Sequence, residues 1–336
     1  MGKLFPYRVH YIRNQTLWGS RGPALLTSGD CGLTWRVEAI VPCGFRDRSL
    51  MRFDLSRRLL RWGVHHVLPL SDHLVVFANR RIFSYQLRKR RWRAGHANLM
   101  GSRPLCICAT PQGTVYYGEY CGNPQRRPVH VFASDDNGVS WRPVHAFKRV
   151  RHIHGVFYDP YEDCLWATTG DEDHEALILK SSDGFQTVDI MHGGSQQARA
   201  VQLIFTRDYV YFGSDAPSEP NHLYRLERRT GQVTALQRVG GSVFWGCRVG
   251  EWLFFSTAVE PSRVNQGKHA ALWASRGGRE WTVLARYQRD FLPLRLFQYA
   301  QVFLPQGPND MGRLWYTPFA TLTDRKLRSL VLEELK

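Results

Sequence analysis

Between His152 and Val188 the chain fits four short strand signals into one unit. Ile153 to Tyr158 is the first, ended by the turn signal Asp159-Pro160. Cys164 to Thr169 is the second, and an acidic loop from Gly170 to Glu175 follows. Ala176 to Lys180 is the third, and Ser181-Ser182-Asp183-Gly184 turns into the fourth. Apolar or alternating runs of about 4–8 residues between Gly, Pro, Asp and Ser clusters are strands. In succession they make one antiparallel sheet in about forty residues, and weaker copies stand on both sides. Repetition at that period points to a β-propeller, in which each sheet is one blade of a closed ring.

The copies fill residues 1–336 as a single all-β domain of four-stranded antiparallel blades, seven fitting best and six being the alternative. The first runs from about Tyr7 to Pro42 and the second from about Arg61 to Gly101. Between them, Phe45 to Leu60 is amphiphilic, either a short helix or a long connection. The third starts at Leu105, the fifth at Ala200 and the sixth at Val243. The seventh, from Tyr299, is the least regular. Ser28-Gly29-Asp30-Cys31-Gly32-Leu33-Thr34-Trp35 and Ser134-Asp135-Asp136-Asn137-Gly138-Val139-Ser140-Trp141 share the pattern Ser-x-Asp-x-Gly-x-x-Trp. The Asp accepts backbone N–H bonds inside a tight hairpin, the Gly takes a positive φ, and the Trp packs as the next strand starts. In the fourth unit the pattern reads as having lost one residue before Gly184, with Val188 in place of Trp. Ser275 to Trp281 is a decayed copy.

Lys and Arg number 45 against 29 Asp and Glu, a net charge of +16, mostly Arg, which suits an acidic partner. The densest run, Arg88-Lys89-Arg90-Arg91-Trp92-Arg93, stands alone without a nucleic-acid-binding signature, so nucleic acid is not the expected partner. No apolar run is long enough to span a membrane and the start has no signal-peptide pattern, so the expected location is the cytoplasm. The seven Cys are scattered, as reduced and buried thiols would be; Cys106-Ile107-Cys108 puts two thiols on one strand face, where a metal pair is the alternative.

The octets closely resemble the Asp-box, or BNR repeat, of sialidase-like propellers. The resemblance implies that the boxes lie on the third-to-fourth-strand turns and are structural. It implies that sites form on the opposite face, from residues entering each first strand and from the second-to-third-strand loops. The first group includes His65, His66, Cys106, Arg151, His152, His154, Arg199, Gln202, Trp245, Arg248 and Tyr299. The second includes Glu119, Tyr120, Asp171, Glu172, Asp173, His174, Asp215, Glu219 and His222. Residues i and i+2 of a strand share a face, so His152 and His154 point together, toward the loop from Asp171 to His174. A His beside a carboxylate is held in one tautomer and is a candidate base. The same set is a candidate for a divalent metal.

Sialidases carry Arg-Ile-Pro near the first strand; here the place reads Arg8-Val9-His10, without the Pro. The site composition is closer to that of propeller polysaccharide lyases. Such a reaction neutralises a uronate carboxylate, removes the adjacent proton and protonates the leaving oxygen. Arg199 or a cation is the candidate neutraliser, His152 or His154 the base, and Tyr120 or Tyr299 the acid. Arg151, Glu119, Asp171, Asp173, His174, Asp215, Trp245 and Arg248 are candidate substrate contacts. The expected partner is an acidic carbohydrate. The alternatives are a non-catalytic propeller that binds glycan or protein, and a glycosidase using two of Asp171, Asp173, Glu119 and Asp215 about 5–10 Å apart.

Overall fold

The computed structural model describes residues 5–97, 99–101 and 103–335. They form seven antiparallel sheets in chain order, six of four strands and a last one of three. The blades span 8–40, 64–97, 107–147, 153–193, 200–238, 243–288 and 301–331. The innermost strands, among them Arg8–Arg13, Val64–Pro69, Ile153–Asp159, Ala200–Phe205 and Val243–Val249, contact one another around an axis. The amphiphilic stretch after the first blade is two short helices, Phe45–Arg52 and Asp54–Leu60. No helix among the described residues is long and apolar enough to cross a membrane.

Among the described residues no strand is exchanged between the chain ends to close the ring. The first blade is built wholly from residues 8–40 and the last wholly from 301–331. They meet where the Ile12 N–H donates to the Gln306 carbonyl and the Gln306 N–H donates to the His10 carbonyl, each at 2.9 Å. Packing between neighbouring blades does the rest. One core cluster joins Val129, Val131 and Phe147 of the third blade to Val156, Ala167 and Leu179 of the fourth. Another joins Trp166 and Ile178 of the fourth to Phe212, Tyr224 and Leu226 of the fifth.

The boxes fold as their chemistry requires. Asp30 accepts the Thr34 N–H at 3.0 Å, and Asp136 accepts the Ser140 N–H at 2.9 Å. The Trp35 and Trp141 indoles each donate to the box glycine's carbonyl at 3.1 Å. These bonds, led by those from Thr34, hold Asp30 down at about 2. The fourth-blade box departs from the sequence reading. Nothing is deleted: Ser181 Oγ accepts the Phe185 N–H at 2.8 Å, as Ser28 Oγ accepts that of Gly32 at 2.9 Å. Phe185 therefore stands in the glycine's place, with φ +72°. Its fully buried ring packs near Tyr116 and His145 and offsets a backbone conformation that Phe rarely adopts.

Close approach between blades fixes Gly118 and Gly213, which lie in second strands. A Cβ on Gly118 would stand 2.3 Å from Ile153 Cγ2, and one on Gly213 would stand 2.5 Å from Val243 Cβ. Both obstacles are the first residue of the next blade's inner strand. Gly213→Ala is expected to cost about 1–3 kcal/mol as overpacking, read as a lower urea midpoint with an unchanged slope.

Candidate functional site

Five of the inner strands carry a register irregularity near their start. The pairing skips His10, His65, His154, Val201 with Gln202, and Phe244. Bulges re-aim side chains beside sites, and here three of the five irregularities hold an imidazole.

On the side of blades four and five, His152 and His154 meet Asp171. His152 Nδ1 lies 3.0 Å from the Cys121 carbonyl, and His154 Nδ1 lies 3.0 Å from the Ala200 carbonyl. A carbonyl only accepts, so each Nδ1 carries a hydrogen and both Nε2 atoms turn inward. The two Nε2 atoms are 3.0 Å apart. Asp171 Oδ1 lies 3.3 Å from the first and 3.6 Å from the second. Burial alone would raise the Asp171 carboxyl. The two facing imidazoles and the charge of Arg199 outweigh burial and hold it well below the usual range. Burial drives His154 down to about 4. The Tyr120 ring covers the pair, its centroid 4.3 Å from that of His152. Burial, then Asp215 and Asp171, push its phenol up to about 12.

Arg199 is already engaged, 3.1 Å from Asp171 and 3.3 Å from Asp215. It braces this wall, so it is poorly placed to neutralise an incoming carboxylate. Arg151 donates to Asp171 at 2.9 Å. Asp215 is buried, and burial lifts it to about 7 against the pull of Arg199. Its Oδ1 has no hydrogen-bond partner. Tyr299 interacts with Glu260, which accepts from Ser242 Oγ at 3.2 Å.

The other candidates are placed differently. Glu119 is buried against His130 at 3.0 Å. Asp173 accepts from Gln196 at 2.8 Å, and His174 is 74% exposed. Arg248 lies at the far end of its strand. It bonds Tyr161 Oη and the Gly250 carbonyl, and it lines a 550 Å³ cavity with Tyr11, Phe157 and Pro308. None of these lining residues is one of the imidazoles. Cys106 and Cys108 are buried, and burial raises both thiols, Cys106 to about 12, so neither is a ready thiolate.

A basic cleft also lies near Tyr120, which feels the charge of Arg103 as well as those of Asp215 and Asp171. Arg8, Arg57, Arg61, Arg103 and His65 line one cleft. The Arg8 guanidinium lies 4.4 Å from the Trp245 ring and 4.3 Å from that of Phe303. Aromatic faces position it, and its Nε is buried without a partner. Arg103 reaches His65 Nδ1 at 3.4 Å. Among the described residues no carboxylate forms an ion pair with Arg8, Arg61 or Arg103. Burial, then Arg103, pulls Arg8 down to about 9. Burial, then Arg61, pulls Arg103 down to about 10. The cleft offers about 50 Å³, where one water needs roughly 10–15 Å³ by the same measure, so it takes a carboxylate but not a sugar ring.

No model of a known protein family matches the chain, and no curated protein matches it in sequence. Solved structures are similar in fold. One titled "YCF48 bound to D1 peptide" has 12% identity and a TM-score of 0.59, the alignment covering 96% of this chain and 91% of that one. A chain of "Crystal Structure of Mitotic Checkpoint Complex" has 10% identity and a TM-score of 0.57, covering 98% and 91%. At these identities the likeness is one of fold.

Proposed function

We propose that the site binds an acidic carbohydrate, with a carboxylate in the cleft of Arg8, Arg61 and Arg103. The observation that carries this is the uncompensated positive charge there, with Arg8 and Arg103 both held below the usual arginine range, by burial first and then by a neighbouring guanidinium. An anion relieves that repulsion and accepts charge-assisted hydrogen bonds. Asp215, with its unpartnered oxygen, and Glu260 supply acceptors on the acidic wall, which suit hydroxyl donors. A carboxylate flanked by hydroxyls is what a uronate offers. In this reading the carboxylate is neutralised by Arg8 rather than by Arg199. Calorimetry with oligogalacturonates tests the reading. Binding that weakens steeply with salt is expected; no heat with any acidic oligosaccharide at low salt would refute it.

A catalytic reading is second, favoured by Tyr120 lying over His152. With its phenol held near 12, Tyr120 stays protonated and suits the acid step of a β-elimination. Turnover would appear as ultraviolet absorbance of an unsaturated uronate, lost in Tyr120→Phe. Binding without that absorbance leaves a recognition module.

A further inference from the structure

We infer that His152, His154 and Asp171 form a binding site for one divalent transition-metal ion. The inference does not depend on the carbohydrate reading. Both Nδ1–H groups are committed to backbone carbonyls, of Cys121 and Ala200. In the neutral rings each Nε2 then presents a lone pair, and the two face each other at 3.0 Å. Two lone pairs at that distance repel unless something positive lies between them. Among the described residues neither Nε2 has a partner beyond the other ring and Asp171. A proton or a metal ion must fill the place.

The geometry favours the metal. The three ligand atoms lie 3.0, 3.3 and 3.6 Å apart. The circle through them has a radius of about 1.9 Å, so an ion about 2.1 Å from each sits just out of their plane, at ordinary metal–ligand distances. Fixing the far ring nitrogen by a carbonyl is the usual second-shell support of a metal-bound imidazole. Two neutral imidazoles and one carboxylate suit Zn²⁺, Co²⁺, Fe²⁺ or Mn²⁺ better than Mg²⁺ or Ca²⁺, which prefer all-oxygen shells. Asp171 and Asp215 balance Arg151 and Arg199, so the surrounding charge is close to neutral. Asp171 keeps 13% of its side chain exposed, which leaves a way in. The contrasting cluster of Asp159, Glu162 and Cys164 is already filled by the Arg228 guanidinium and by the Lys180 ammonium, 2.7 Å from Glu162.

The test uses the full chain, stripped with a chelator and titrated with Zn²⁺ and then Co²⁺, with no saccharide present. One equivalent should bind, and Co²⁺ should give a visible d–d band. His152→Ala and His154→Ala should each weaken binding at least about 100-fold. His269→Ala, at an exposed histidine, should change nothing. Asp171→Asn, which keeps the shape of the wall, should also weaken binding and serves if an alanine variant fails to fold by near-ultraviolet circular dichroism. No stoichiometric binding, or equal binding by the His and Asp171 variants, would overturn the site and leave a shared proton between the rings.

Discussion

Arg228→Met is expected to destabilise the protein by about 3–5 kcal/mol, because both members of its ion pair with Asp159 are buried. Asp159 ends the inner strand of blade four and is fully buried. It accepts the Tyr161 N–H at 3.0 Å, the Trp166 indole at 3.2 Å and both terminal nitrogens of Arg228, one of them at 3.1 Å. Arg228 also donates to the Thr206 carbonyl at 2.9 Å and to Glu162 at 3.0 Å. It thus ties blade five to blade four. Removing it strands a carboxylate that two neutral donors cannot compensate. Asp159→Asn added to Arg228→Met should recover much of the loss, because the remaining group is neutral. Urea unfolding reads both. A single-variant loss below about 1 kcal/mol, or no recovery in the double variant, would show that the pair does not hold the two blades.

The second large effect lies at the basic cleft, where affinity and stability should move in opposite directions. Arg103→Met should weaken binding of a uronate oligosaccharide by about 2–3 kcal/mol, or about 30- to 150-fold, through loss of charge-assisted bonds to the carboxylate. The same change should leave the unliganded fold as stable as the parent or more so. Arg103 has its basicity lowered by burial and by Arg61, so at neutral pH its charge costs folding free energy. That cost begins to fall only as pH rises past about 10, where the folded group loses its proton, or when a ligand anion arrives. Arg8→Met is the less clean companion, since Arg8 also packs between Trp245 and Phe303. Equal affinity in Arg103→Met, or a fall in unliganded stability matching the fall in affinity, would assign Arg103 a structural role.

The blades were legible because strand periodicity and turn chemistry are local. Tyr209-Val210-Tyr211-Phe212-Gly213 is a strand in isolation and in the ring. The blade-four box was misread because burial overrode a local rule: Phe185 occupies a glycine conformation for the sake of its ring. The meeting of His152, His154 and Asp171 was foreseeable, since one blade supplies both its first strand and its second-to-third loop. Arg248 was grouped with them by its strand alone. A strand climbs about 3.3 Å per residue, so the sixth residue of Val243–Val249 is carried to the opposite end of the channel.

The basic cleft was harder to see. Arg8 opens the first strand, Arg61 follows a helix, and Arg103 lies in an irregular segment before the third blade. Among 45 basic residues none of the three is conspicuous. Asking which arginines precede each inner strand would have found them. What no local signal carries is the lack of partnering carboxylates, because that depends on residues from several blades meeting at one cleft.

The most direct measurement compares trigalacturonate with its fully methyl-esterified form by calorimetry on the unmodified protein at low ionic strength. The ester keeps the rings and every hydroxyl but removes every carboxylate charge. Saturable binding of the acid, at least about 30-fold tighter than that of the ester and lost in Arg103→Met, is the expected result. Equal affinity for acid and ester, or no binding of either, would contradict carboxylate recognition by Arg8, Arg61 and Arg103.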